Sequence, residues 1–248
     1  DANFYAYVGG YVGNGYFVKD CVNEVDINYD QEGIGVGGIA GILTNGAEGC
    51  KNTANIIAPN SQYVGGIAGL IKINSNITYK ALENTGKVTS TSYVGGLIGS
   101  LEHSVNAKAN YSVSIQQSSN SGIITGTEYV GGLIGNVLVD NLNATYVSKL
   151  EGITLNNTGS VVGTNYVGGL IGCAHSDDIS SVIKNSTNNS SVISNSYVGA
   201  IAGKLTNITI DSCKNDGSTV TVKEYFINSG DNVFEACIGG YVGYGYSV

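Results

Sequence analysis

The sequence has no methionine and no tryptophan, a single proline at Pro59, and charged residues at only 12% of its 248 positions. A typical soluble chain has about 25% charged residues. With one proline, almost nothing interrupts regular backbone structure. The 11 Lys and Arg form no patch and the formal net charge is −8, which argues against a nucleic-acid partner.

Long apolar runs are also missing. No stretch approaches the roughly 18 apolar residues of a membrane-spanning helix, so we expect no membrane span. The amino end has no basic segment followed by an apolar one, and it opens on Asp1-Ala2-Asn3 without an initiating Met. A processed secreted protein begins in this way, as would a trimmed chain. We therefore expect an extracellular or cell-surface location.

Residues for catalysis and metal binding are scarce. A Ser-His-Asp or Cys-His pair needs a His beside its nucleophile. Cys173 and His175 lie about 6.6 Å apart if they are two residues apart in a strand, which is too far for a direct hydrogen bond. Zinc is disfavoured because no CxxC is present and His103 is far from His175. We predict no enzyme activity, no catalytic or metal-binding residues and no cofactor. Nothing selects the paired carboxylates of a polysaccharide-acting enzyme, which is the third alternative.

What the chain does contain is a repeated glycine motif. Tyr-Val-Gly-Gly-Leu-Ile-Gly occurs at 93–99, 129–135 and 166–172, and related stretches begin at Tyr7, Gly35, Tyr63, Tyr197 and Cys237. Eight copies at intervals of 28 to 40 residues are typical of a repeat protein. Because no linker is visible, we predict that 1–248 is a single repeat domain.

The composition of the motif favours strands. Its glycine density excludes a helix. Read as one strand, Tyr93 to Ser100 has no polar face, as in parallel sheets covered on both sides. Stacked glycines would let a second sheet or another chain approach closely. The predicted fold is all-β: a repeat β-solenoid of stacked β-arches, with about eight Gly-rich repeats and parallel sheets.

Two residue columns follow from stacking the repeats. An Asn stands ten residues before the motif valine in four repeats, at Asn84, Asn120, Asn157 and Asn188. Stacked Asn side chains form amide ladders, and stacked tyrosines form aromatic ladders. The predicted aromatic ladder consists of Tyr63, Tyr93, Tyr129, Tyr166 and Tyr197.

Three of the five cysteines fall in one column. Cys21, Cys50 and Cys213 each stand two residues before the Asn of their repeat. Adjacent rungs lie about 4.8 Å apart, within the Cα separation of about 4.4 to 6.8 Å that disulfides allow. Cys21 and Cys50 would then form a disulfide, or alternatively serve as buried small apolar residues. Cys237 is the fourth disulfide candidate, and the odd total leaves a thiol free or paired with another molecule.

The two ends of the sequence resemble each other. Residues 7–18 and 237–248 carry the same Gly- and Tyr-rich pattern, whereas solitary solenoids end in polar or irregular caps. Matching uncapped ends favour head-to-tail addition, and the alternative is that both termini fold back as caps. The predicted assembly residues are Tyr7, Tyr11, Tyr16 and Phe17 at one end and Cys237, Tyr241, Tyr244 and Tyr246 at the other.

Glycosylation sequons are frequent. The candidate sites are Asn76, Asn110, Asn143, Asn156, Asn185 and Asn207, and two further sequons begin at Asn188 and Asn189.

The consensus Asn-X-Gly-X-Val-X-Gly-X-X-Tyr-Val-Gly-Gly-Leu-Ile-Gly resembles the GLUG motif of repeat-bearing surface proteins of bacteria and archaea. Matching stretches are 84–99, 120–135 and 157–172. The resemblance implies repeated β architecture on the cell exterior, as in adhesins, passenger-like regions of secreted enzymes and surface layers. A short chain with the repeat at both ends looks more like a building block of an extracellular filament or an archaeal cell sheath.

We therefore expect a secreted structural protein whose partner is itself, polymerising into a filament, sheath or surface layer. The alternative is a monomeric adhesin or carbohydrate-binding solenoid. Its partners would be cell-surface glycans, and its binding face would be the mid-chain insertions at 101–119 and 137–156.

Overall fold

The structure is a computed structural model that describes residues 6–103, 109–139, 148–216, 219–222 and 237–246. Every regular element in these ranges is a β-strand, and all strand pairs are parallel. The predicted all-β parallel solenoid is confirmed. No helix in the described part of the chain is long and apolar enough to cross a membrane.

The described residues form seven coils and part of an eighth. The first coil contains β1 (Tyr7–Gly9), β2 (Val12–Lys19), β3 (Val22–Asn23) and β4 (Ile27–Asn28). The second contains β5 (Gly33–Gly37), β6 (Ala40–Glu48), β7 (Lys51–Asn52) and β8 (Ile56–Ile57). The third contains β9 (Ser61–Gly65), β10 (Ala68–Ile73), β11 (Ile77–Lys80), β12 (Glu83–Asn84) and β13 (Val88–Thr89). The fourth contains β14 (Ser92–Gly95), β15 (Ile98–His103), β16 (Ser112–Asn120) and β17 (Ile124–Thr125).

The later coils repeat the pattern. The fifth contains β18 (Glu128–Gly131), β19 (Ile134–Val139), β20 (Lys149–Asn157) and β21 (Val161–Val162). The sixth contains β22 (Asn165–Gly168), β23 (Ile171–Ser176), β24 (Ser181–Lys184), β25 (Thr187–Asn188) and β26 (Val192–Ser194). The seventh contains β27 (Val198–Gly199), β28 (Ala202–Thr206), β29 (Ile208–Asp211), β30 (Lys214–Asn215) and β31 (Val220–Val222). The eighth contains β32 (Ile238–Gly239) and β33 (Val242–Tyr246).

Stacking these coils produces three sheets. Sheet A has eight strands, from β1 to β32, and sheet C has seven, from β4 to β31. Sheet B has 18 strands and includes β2 and β33. Registers keep equivalent residues in line, so that Val94 pairs with both Val64 and Val130. Each motif position therefore becomes a column along the axis.

Two apolar cores run the length of the stack. The motif valines of sheet A, such as Val94, pack against sheet C residues such as Val88. The following motif residues, such as Leu97 and Ile98, join a larger core with the inward side chains of sheet B. One coil presents too little apolar surface to be stable alone, so neighbouring coils must complete both cores.

The expectation that the motif is one continuous strand was wrong. β14 ends at Gly95 and β15 begins at Ile98, so the chain turns a corner at Gly96-Leu97 and passes from sheet A into sheet B. This corner sends Val94 into one core and Leu97 into the other. The glycines permit it because sheets A and B meet backbone to backbone there: a methyl group on Gly99 would lie 2.8 Å from the carbonyl oxygen of Tyr93.

A second corner divides sheet B and has a left-handed backbone. One residue per coil adopts φ between 50° and 63° there, in all of the first seven coils: Asp20, Gly49, Ala81, Gln117, Thr154, Asn185 and Ser212. Left-handed geometry costs a non-glycine residue roughly 1–2 kcal/mol. It recurs because the stacking of the coils imposes one corner geometry on whichever residue is present.

Candidate functional site

The tyrosine column lies on sheet A, where four of its five residues belong to β9, β14, β18 and β22 and the fifth directly precedes β27. Consecutive rings among Tyr63, Tyr93, Tyr129, Tyr166 and Tyr197 have centroids 4.7 to 5.1 Å apart. The Tyr93–Tyr129 and Tyr129–Tyr166 pairs are nearly parallel, at 3° and 7°, while Tyr63 is tilted by 47° from Tyr93. The structure thus brings these five predicted ladder residues together.

Stacking occupies the faces of the inner rings and leaves each of them half-buried. Burial, with Tyr93 as a further cause, raises the pKa of Tyr129 to about 12. At the end of the stack Lys204 Nζ lies 5.7 Å from the Tyr166 ring centroid and 5.6 Å from that of Tyr244. A sugar that binds by stacking on aromatic faces finds those of the inner rings already covered. The geometry therefore suits a stabilising ladder better than a carbohydrate platform.

The Asn column forms a continuous amide ladder through six coils. Five successive bonds of 2.7 to 2.9 Å, each from one Nδ2 to the Oδ1 of the Asn in the next coil, link Asn23, Asn52, Asn84, Asn120, Asn157 and Asn188. The same Nδ2 also donates to a backbone carbonyl two residues later, as Asn84 does to Gly86. All six side chains are buried. Because the first five members of the ladder each make both the ladder bond and the backbone bond, they add no unpaired donor to the interior.

The second glycine of the motif makes room for this ladder in the coils that contribute to it. A methyl group on Gly38 or Gly66 would lie 2.5 Å from the Oδ1 of Asn52 or Asn84, respectively. The Cβ direction at this position also points at the carbonyl oxygen of the equivalent glycine in the next coil, as from Gly96 toward Gly132. A larger residue at this position would therefore collide with the Asn of its own coil and with the backbone of the next coil.

The cysteines are free thiols in the structure. Cys21 and Cys50 lie on adjacent coils, since the residues that follow them, Val22 and Lys51, pair in register. Each thiol donates to a backbone carbonyl two residues earlier, at 3.3 and 3.4 Å. Cys213 belongs to the same column but lies five coils beyond Cys50, so the structure does not bring it to the other two. Cys173 lies in sheet B next to Lys204, and Cys237 lies just before β32.

The first coil exposes one end of the stack. Among the described residues, β1, β2, β3 and β4 have strand partners only in the second coil. Tyr11, Tyr16 and Phe17 are exposed, Tyr16 at 67%, and Tyr7 is half-buried. Tyr11 is fixed by its hydroxyl, which donates to the carbonyl oxygen of Val22 at 2.7 Å.

The eighth coil exposes the other end. Within the described ranges, β32 and β33 have partners only in the seventh coil. Tyr241 and Tyr244 are exposed, Cys237 is half-buried, and the side chain of Tyr246 lies outside what the structure describes. Ile238, which was not predicted as an interface residue, is 52% exposed.

A groove lies beside this last coil. In the described part of the chain β33 pairs only with β28 of the seventh coil, and an apolar groove of about 640 Å³ lies between β29 and β33. Its lining includes Ile208 and Ile210 from β29 and Tyr241 and Val242 from the eighth coil. Ile208 and Ile210 alternate with two exposed polar residues, as in a strand with one core-facing side, and both isoleucines are half-buried.

The candidate glycosylation sites differ in how exposed the Asn side chain is. Asn76, Asn110, Asn156, Asn185 and Asn189 are exposed, and Asn207 is half-buried. Asn188 is fully buried in the amide ladder, and Asn143 lies outside the described residues. In the mid-chain insertions, the described parts include β16 and β20, which pair with each other as ordinary rungs of sheet B.

The fold defines this chain as a parallel β-solenoid with ladders of Asn and Tyr. No protein-family model, curated protein or solved structure matches it. The resemblance to the GLUG motif therefore rests on the repeat itself.

Proposed function

We propose that this chain is an extracellular structural protein that assembles head to tail, with the eighth coil of one copy receiving the first coil of the next. The observation that carries the proposal is at Gly240. A methyl group added there would have no described atom within 4 Å, whereas at Gly38, Gly66 and Gly96 it would meet the next coil. The eighth coil thus presents the surface on which a further coil is stacked everywhere else in the molecule.

The first coil has the residues to occupy that surface. Within the molecule, Tyr7-Val8-Gly9 occupies the same columns as 237–239, and Val12 occupies the same column as Val242. β1 and β2 have the same directions as β32 and β33 in the stack, so a second copy would continue sheet A and the first part of sheet B in the same register. Unpaired strand edges of this kind are templates for addition of another chain.

Burial of apolar surface supports the same association. Ile238 and Tyr241 are exposed at the receiving end and Tyr11 and Phe17 at the other. Burial of apolar area contributes roughly 25 cal/mol per Å². A repeated heterologous contact that does not close on itself builds a filament. We therefore favour a filament, sheath or surface layer over a monomeric adhesin.

Sedimentation velocity with a matched pair of variants tests this proposal. Gly240→Lys places a long charged side chain in the proposed joint, where the isolated chain has room for it. Ile179→Lys adds the same charge at a 68% exposed position on the side of the stack. Wild type and Ile179→Lys should form large species that grow with concentration, and Gly240→Lys should remain monomeric with an unchanged melting temperature. Polymerisation of Gly240→Lys as extensive as that of wild type would contradict the proposal.

A further inference from the structure

The stacked tyrosines have a chemical property that does not depend on whether copies assemble. We propose that the central ladder is an oxidative cross-linking site, at which a peroxidase-type one-electron oxidant acting with hydrogen peroxide joins Tyr129 to Tyr93 or Tyr166 as dityrosine. The product would be a covalent link between neighbouring coils of one chain.

The geometry brings the reacting carbons side by side. Tyr129 is nearly parallel to both neighbours, with centroids 4.7 Å from Tyr93 and 5.1 Å from Tyr166. Dityrosine forms between ring carbons ortho to the phenolic oxygens, so two rings anchored one rung apart in the same orientation need little movement to react. All three backbones share the left-handed geometry, with φ of 48°, 53° and 52°, which holds their side chains in one direction.

The composition directs oxidation to these residues. The chain has no tryptophan and no methionine, so tyrosine and cysteine are its readily oxidised side chains. The three ladder rings are half-buried and reach the surface beside sheet A, where an oxidant can approach their edges. Burial holds the pKa of Tyr129 at about 12, so the neutral phenol is present at neutral pH and its oxidation must release a proton.

The reaction balances as follows. Each of two tyrosines loses one electron and its phenolic proton, which gives two neutral phenoxyl radicals, and one hydrogen peroxide is reduced to two waters. The radicals form one carbon–carbon bond between their ortho carbons. The hydrogen on each coupled carbon then moves to the phenolic oxygen of the same ring, which restores two phenols. The cross-linked chain has lost two hydrogen atoms.

Peptide mapping after peroxidase and hydrogen peroxide treatment tests the proposal. The wild-type protein is treated at high dilution, where links between copies are rare, and the dityrosine-containing peptides are identified by fluorescence and mass spectrometry. The links should join 93 to 129 and 129 to 166. Tyr129→Phe keeps a stacked ring but removes both links, so the intramolecular yield should fall at least twofold. Tyr79→Phe, at a fully buried tyrosine outside the ladder, is the matched control and should leave the yield unchanged.

Two results would overturn the inference. One is dityrosine found only through the exposed end tyrosines such as Tyr11, Tyr16 or Tyr241, with the ladder rings unmodified. The other is an equal intramolecular yield from Tyr129→Phe and wild type, with circular dichroism showing that both proteins are folded.

Discussion

Asn215 lies outside the amide ladder in the coil where Ala200 takes the place of the second glycine. Its Nδ2 donates to the carbonyl oxygen of Gly240 at 3.3 Å, and its Oδ1 is buried with no hydrogen-bond partner among the described residues. At Gly66 and Gly96, in earlier coils, a methyl group would lie 2.5 and 2.6 Å, respectively, from the Asn side chain. Ala200 has its methyl group at this position, and we infer that this methyl group displaces Asn215, so that the ladder stops at Asn188.

Replacing Ala200 with Gly should restore the ladder. An unsatisfied buried acceptor costs about 1–3 kcal/mol, and a new glycine costs about 0.5–1 kcal/mol in backbone entropy. We expect Ala200→Gly to raise the free energy of unfolding by about 1 kcal/mol in urea denaturation, since the gain exceeds the cost. A double-mutant cycle with Asn215→Ala should abolish the gain. An equal gain in the Asn215→Ala background would show that the two residues are not coupled.

Replacing the second glycine of the motif should destabilise the fold much more in the middle of the stack than at its end. At Gly132 a methyl group would overlap the carbonyl oxygen of Gly169 and approach Asn157 Cγ to 2.6 Å, while at Gly240 it would meet no described atom. We expect Gly132→Ala to lower the unfolding free energy by at least about 2 kcal/mol and Gly240→Ala to change it by less than about 0.5 kcal/mol. Urea midpoints measured on dilute monomer check this difference. Equal effects would mean that the glycine column is not what holds the coils at their spacing.

The free energy of unfolding should depend on how well the residue at the left-handed corner of sheet B tolerates a positive φ. Thr154 is β-branched and has φ of 56°, while Asn185 has φ of 51° in the next coil. Asn tolerates left-handed geometry better than a β-branched residue. Thr154→Asn should therefore raise the unfolding free energy by about 0.5–1 kcal/mol, and the reverse change Asn185→Thr should lower it by about the same amount. Thermal unfolding of both variants tests the pair, and effects of the same sign would contradict the assignment of strain.

Alkaline pH should weaken the fold. Burial raises the pKa of both Cys50 and Cys173 to about 11 from an ordinary value of 9.0. Because the folded pKa is raised, the stabilisation is complete below about pH 9 and is lost as the pH rises toward 11. Urea denaturation under reductant should show the unfolding free energy falling across this range, with a shallower slope in Cys173→Ala. The slope between pH 6 and 8 serves as the control and should be the same in both proteins.

The period of the sequence predicts much of this architecture. Asn84 and Asn120 stand at the same distance from their motif valines, so the two repeats are expected to form equivalent coils. When equivalent coils stack, their Asn and Tyr residues line up in columns. The same spacing places Cys21 beside Cys50. These features were accessible because each repeats the same residue type at the same offset.

Other features of the fold could not be predicted from the types of residue at the positions concerned. The left-handed corner is occupied by residues as different as Asp20, Ala81 and Gln117, so only the backbone reveals the column. The corner at Gly96-Leu97 was hidden because alternation along the motif also fits one straight strand. The break at Asn215 depends on a methyl group at Ala200, whose consequence is visible only once the two side chains are placed together.

The measurement that tests the central claim most directly is electron microscopy with fibre diffraction of the purified protein, with and without a thiol reductant. Head-to-tail stacking predicts filaments whose strand spacing of about 4.8 Å runs parallel to the filament axis. Dispersed monomers under both conditions, or filaments whose strand spacing runs across the axis, would contradict the account.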